Sequence, residues 1–169
     1  MAKSLLVLRH AEAGHYSGDD HARTLTSRGQ EQARGVGRWL LDSSLWPEMT
    51  VVSDAMRTRQ TCIWVGSELG DKAATPSLDP RLYQASARQL LSVVNETPES
   101  VESLLVVAHM PGVQDLSMEL ASVHSDEQVV FTMAEHWPPG GLAIFQVDKP
   151  WAELDGRDAV LTQFRTPAE

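Results

Sequence analysis

Leu5-Leu6-Val7-Leu8-Arg9-His10 and Leu104-Leu105-Val106-Val107-Ala108-His109 decide the fold. Each is a short apolar run that stops at a histidine, and each reads as a buried strand. If the two strands are parallel, both histidines open onto the carboxyl edge of one sheet, where α/β folds bind their ligands.

Outward from these runs the chain alternates strand and helix, the pattern of a mostly parallel sheet with helices on its faces. A polar loop, about His10 to Leu25, carries Gly14, Gly18 and the pair Asp19-Asp20. Thr26 is placed to cap a helix reaching about Asp42, with Ala33, Val36, Leu40 and Leu41 as its apolar stripe. Trp46-Pro47 ends that unit, and Met49 to Ser53 is a second strand. Arg57 opens a helix whose inner face would use Ile63, Trp64 and Leu69 and which Gly70 closes. A loop with a short strand near Ser77 to Asp79 follows, then a helix from Ser86 to about Glu96. Pro111 suits the first turn of the helix after His109, where its missing N–H costs nothing. Leu142 to Val147 and Ala159 to Phe164 read as two final strands around a turn near Gly156. No repeat, low-complexity tract or linker interrupts residues 1–169, so a single domain is expected.

A net charge of −9 argues against a nucleic-acid partner, since phosphate backbones select basic surfaces. Apolar runs of four or five residues are far short of the roughly 20 that span a bilayer, and the first strand leaves no room for a signal peptide. A cytoplasmic protein without membrane attachment is expected. The single cysteine, Cys62, excludes an internal disulfide and fits a reducing compartment. Against the acidic background Arg9, Arg23, Arg57 and Arg59 gather near the candidate site, which suits a small anion or one phosphorylated side chain.

Three strand ends carry chemistry: Arg9-His10, Ser53 to Arg57, and His109. An imidazole can attack phosphorus and hold it covalently, guanidiniums can fork onto phosphoryl oxygens, and a second, protonated imidazole can donate to them. Each element alone has a plain alternative: Arg9-His10 as a surface turn, His109 as a helix cap, Arg57 and Arg59 as solvated side chains. Together, at successive parallel-strand ends, they point to phosphoryl transfer. Competing phosphatase chemistries lack their letters. Cys62 is followed six positions on by Glu68 rather than arginine, and the chain has neither Asp-x-Asp nor a phosphate-binding Gly-Lys-Ser/Thr loop. His10, His15 and His21 are not spaced as metal ligands, so no metal or cofactor is expected. His124 and His136 read as surface residues, and the five tryptophans as packing.

Residues 6–12, Arg23 to Gly29, Ser53 to Thr61 and Val106 to Gly112, with Pro139 to Ala143, resemble in order and spacing the histidine phosphatase superfamily, specifically its SixA-like phosphohistidine phosphatases. The resemblance implies a phosphoglycerate mutase-like α/β fold. By it His10 matches the phosphorylated nucleophile, Arg9 and Arg57 the phosphate clamps, His109 the second pocket histidine, and Arg23 an arginine near the pocket. Three positions depart from the usual motifs: Ala11 and Ala108 stand for glycines, and Asp54 for a proline. The alanines are tolerable unless those positions need φ > 0.

Larger members of the superfamily carry a glutamate proton donor after the third short strand. Arg81 to Ala85 here contain no carboxylate, and no large insert could form a lid. A sugar or glycerate alkoxide needs such an acid, whereas imidazole leaves phosphohistidine neutral when its other nitrogen is protonated. A phosphohistidine on a phosphorelay protein is therefore the expected substrate. Glu12, Asp19 or Asp20 could still supply a carboxylate from the first loop, though loop surface is their simpler reading. That leaves a small phosphate ester as the alternative substrate. A module that binds phosphohistidine without turnover, its pocket distorted at Ala11 and Ala108, is the other.

Overall fold

A computed structural model describes residues 2–15 and 18–168; Met1, Glu169 and the loop positions Tyr16 and Ser17 lie outside the described residues. The elements are β1 (Lys3–Arg9), α1 (Ser27–Asp42), β2 (Met49–Val52), α2 (Met56–Leu69), β3 (Pro76–Leu78), α3 (Ala87–Asn95), β4 (Ser103–Ala108), α4 (Gly112–Leu120), α5 (Glu127–Glu135), β5 (Leu142–Val147) and β6 (Val160–Arg165). They form one six-stranded sheet in the order β3-β2-β4-β1-β5-β6, with helices on both faces. Neighbours from β3 through β1 pair in parallel, and β5 pairs antiparallel with both β1 and β6. Only β5 therefore runs against the rest, and the expected mostly parallel α/β fold is the observed one.

Alternation along the strands divides the core. Leu5, Val7, Leu104 and Val106 face α3, α4 and α5, together with Trp137 and Phe145. Leu6, Leu8, Leu105 and Val107 face α1 and α2, with Ala33, Val36 and Leu40 of α1 against them. Because both faces are covered, these strands carry unbroken apolar runs. Helices α1 and α2 pack closely: a Cβ on Gly37 would lie 2.5 Å from Val65 O.

Local signals set the boundaries. Thr26 accepts the Gly29 amide at the start of α1, and Ser86 with Gln89 forms a reciprocal capping box on α3. Gly70, at φ 61°, ends α2.

Three expectations need correction. Leu41 lies at the edge of the α1 stripe and is 36% exposed, and Ile63 is 64% exposed. The inner face of α2 is instead Arg57, Thr58, Thr61, Val65 and Leu69, with Trp64 only half-buried. Those positions follow the helical three-and-four spacing, but threonines occupy the end nearest the sheet edge, so the face is not marked by apolar residues. Helix α5 was not foreseen. It buries Met133 and half-buries Val129 and Val130, while Phe131 faces outward.

Candidate active site

Register brings the two histidines together. Arg9 pairs with Ala108 across β1 and β4, so His10 and His109 are the next residues on neighbouring parallel strands. Strand parity places both on the side of Leu6, Leu8, Leu105 and Val107. Their ring centroids lie 5.4 Å apart, and both residues are buried. Val52 pairs with Val107, which puts Ser53 at the same edge, where its Oγ is 2.7 Å from His109 Nε2.

Hydrogen bonds fix which ring atoms are free. His10 donates Nδ1–H to the Ala11 carbonyl at 2.8 Å, which leaves the lone pair of its neutral ring on Nε2. Ser53 Oγ accepts the Ala55 amide at 3.4 Å and shares a hydrogen bond of 2.7 Å with His109 Nε2. When Ser53 donates in that bond the His109 proton lies on Nδ1, a buried atom without a partner among the described residues. The loop after His10 is held by the Ala11 amide donating to Thr61 Oγ1 of α2 (3.0 Å).

The arginines surround this pair. Arg57, buried on the first turn of α2, donates Nη1 to Asp20 O (2.8 Å) and Nη2 to Asp20 Oδ2 (3.2 Å); its Nε is buried and without a partner among the described residues. Arg23 donates Nε to Gly14 O and Nη1 to Asp20 Oδ1 (3.0 Å), so one carboxylate joins it to Arg57. Arg9, one residue before His10, donates Nη1 to Trp137 O (2.7 Å), and its Nε too is buried and unpartnered among the described residues. Arg59 is exposed and takes no part, because two residues along a helix turn a side chain away from Arg57.

Burial and neighbouring cations set the protonation states. Burial, then the charges of Arg57, Arg9 and Arg23, pushes His10 down to about 4 against a stabilising bond to Ala11. Burial, His10 and Arg57 push His109 down to about 3. Both rings are therefore neutral near pH 7. A neutral His109 can donate to a phosphoryl oxygen through Nδ1–H without carrying charge when Ser53 donates to its Nε2. Bonds from Tyr83 and Arg23 hold the Asp20 carboxyl well below the usual carboxylate range.

Of the three loop carboxylates only Asp20 reaches the pocket. Glu12 turns to Thr26 and Arg28, and Asp19 accepts the His21 amide. Asp20 lies on the loop surface as expected, its side chain 46% exposed, and from there its Oδ2 accepts from both Arg57 and the Tyr83 hydroxyl (2.6 Å). Tyr83 was missed. It stands just after β3, and its ring meets His109 edge-on at 5.5 Å. Its place behind a parallel strand end was the available signal. Ala11, Ala108 and Asp54 are not among the residues with positive φ, so the departures from the glycine and proline motifs impose no backbone strain.

The start of β5 completes the edge. Gly140, at φ 78°, donates its amide to Arg9 O and His10 O, and Gly141 O accepts from the Arg9 amide and from Trp137 Nε1.

A family model described as the histidine phosphatase superfamily (branch 1) matches residues 5–90. The chain is similar to an uncharacterised protein of Mycobacterium tuberculosis (strain ATCC 25618 / H37Rv), at 32% identity over 162 residues covering 95% of this chain and 99% of that one. It is also similar to phosphohistidine phosphatase SixA of Escherichia coli (strain K12), at 31% identity over 118 residues covering 69% and 73%. A solved SixA-named chain from Nakamurella multipartitia superposes with a TM-score of 0.89 at 28% identity, covering 100% and 98%.

Proposed function

The chain belongs to the histidine phosphatase superfamily and is a phosphatase, and from that premise we propose that it removes the phosphoryl group from phosphohistidine on a phosphorelay protein, through a phospho-His10 intermediate. The observation that carries this reading is the pair of neutral imidazoles 5.4 Å apart, flanked by Arg9 and Arg57, whose buried Nε atoms lack partners among the described residues.

In the first step His10 Nε2 attacks phosphorus, and the P–N bond to the substrate histidine breaks. Its electron pair stays with a ring already protonated on its other nitrogen, which leaves neutral. Arg57, Arg9, Arg23 and the His109 Nδ1–H stabilise the phosphoryl oxygens, and the Nδ1–H bond to Ala11 O stabilises the positive charge on phosphorylated His10. In the second step water adds to phosphorus, the P–Nε2 bond breaks, and the water protons leave with inorganic phosphate. No metal or cofactor enters either step.

Asp20 bears on the choice of substrate. Its carboxylate bonds Arg57, and Tyr83 and the arginines hold it ionised. An ionised carboxylate cannot protonate a departing alkoxide, which favours phosphohistidine over a phosphate ester. The unstrained backbone at Ala11 and Ala108 removes the motive for a module that only binds. The protein then acts as a single histidine phosphatase domain spanning residues 1–169, in the cytoplasm.

The test is a side-by-side assay on a phosphorylated relay domain and a panel of phosphate esters, with rapid quenching to trap the enzyme. The expected result is faster release of phosphate from the relay domain and acid-labile label on His10. Faster ester turnover would move the protein to small-molecule chemistry. A fully active His10→Ala variant would end the covalent mechanism.

A further inference from the structure

Neither proposed step uses Asp20, which bonds Arg57. We infer that Asp20 is a positioning residue that fixes the Arg57 guanidinium so that one edge faces the phosphoryl group, with Tyr83 as its anchor; the inference rests on the phosphatase reading above. A guanidinium offers two edges for paired acceptors, Nη1 with Nη2 and Nε with Nη2. Asp20 O and Oδ2 take Nη1 and Nη2, gripping the end of the fork. The edge left over holds Nε, which is buried without a partner among the described residues. Two oxygens of a tetrahedral oxyanion match that edge.

Asp20 is itself held from two directions. The Tyr83 hydroxyl donates to Oδ2 at 2.6 Å and Arg23 Nη1 to Oδ1 at 3.0 Å. The Tyr83 ring is wedged edge-on between His21 (4.8 Å) and His109 (5.5 Å), which ties the turn after β3 to the first loop. Asp20 also balances charge: beside Arg9, Arg23 and Arg57 it leaves the pocket positive while reducing repulsion among these cations. The opposite role, a carboxylate plug that competes with the phosphoryl group for Arg57, predicts a change of the opposite sign.

The test measures tungstate and inorganic phosphate binding by calorimetry, and hydrolysis of a phosphorylated relay domain, for wild type, Asp20→Asn, Tyr83→Phe, Arg57→Ala and the Asp20→Asn/Arg57→Ala double variant. Asp20→Asn should weaken tungstate binding about tenfold and lower kcat/KM in step, and Tyr83→Phe should do so more mildly. Once Arg57 is alanine, Asp20→Asn should cause no further loss. A change in general folding would persist in that background, and Asp20→Glu, which keeps the charge, should restore part of the loss. Tighter tungstate binding by Asp20→Asn, unchanged binding, or an undiminished effect without Arg57 would each overturn the inference. Wild type that binds tungstate but releases no phosphate from the relay domain would count against the proposed function alone.

Discussion

Arg57 and Arg81 both fork onto carboxylates, and the two clusters differ in what they leave over. Arg81 makes five side-chain hydrogen bonds to Asp79 and Glu96, as short as 2.6 Å, with half of its side chain in solvent. Arg57 makes two bonds to Asp20, its side chain is 7% exposed, and a buried N–H remains without a partner among the described residues. Bond counts alone would rank Arg81 as the more important residue. Burial reverses the ranking, because an unmet donor away from water is costly until a ligand meets it, and Arg57 holds its donor beside two histidines. Incomplete satisfaction next to His10 and His109, rather than abundance of contacts, sets Arg57 apart.

The largest expected effect sharpens this contrast. Arg57→Ala should lower kcat/KM on a phosphorylated relay domain by about a thousandfold, with a thermal melt close to that of wild type. Retention of more than a tenth of the activity would break the comparison. Ser53→Ala removes the 2.7 Å partner of His109 Nε2 and should cost about tenfold in kcat, read by steady-state kinetics with binding little changed.

Acidification should separate the two clusters by pH window. His10 and His109 fall to about 4 and about 3 in the fold but titrate near 6.5 when unfolded. Between these values the unfolded chain binds protons that the native state refuses, so stability is full above pH 6.5 and declines as pH falls toward 4. For His10 alone the loss between pH 7.5 and pH 5 should be on the order of 2 kcal/mol, measured by urea unfolding and reduced in His10→Asn. Arg81 lowers Glu96 instead, so that cluster contributes above the unfolded carboxylate range and weakens only in more acidic solution. The smallest effect belongs to Arg81→Ala, which should leave activity within about twofold; any change in melting temperature should vanish in high salt.

The sequence carried the strand ends and little of what lies between them. Leu5 to His10 and Leu104 to His109 were legible because strands buried on both faces need unbroken apolar runs, and Thr26 and Ser86 because a cap is a local signal. Helix α5 was hidden because outward-facing Phe131 interrupts its apolar face. Ile63 was misplaced because Thr58 and Thr61 occupy the inner face of α2. Asp20 is loop surface, as its sequence suggests, but its bond to Tyr83 across 63 positions belongs to no period and was not legible.

Every proposed clamp and imidazole precedes residue 110, yet β1 has β5 as its second neighbour, and Arg9 is tethered to Trp137 and Gly141. A truncated chain ending after α4 would keep all the reactive groups but turn β1 into a raw edge, open to pairing with other copies. The reversed strand near the carboxyl terminus thus works as a clasp, and shortening the protein for engineering should start elsewhere.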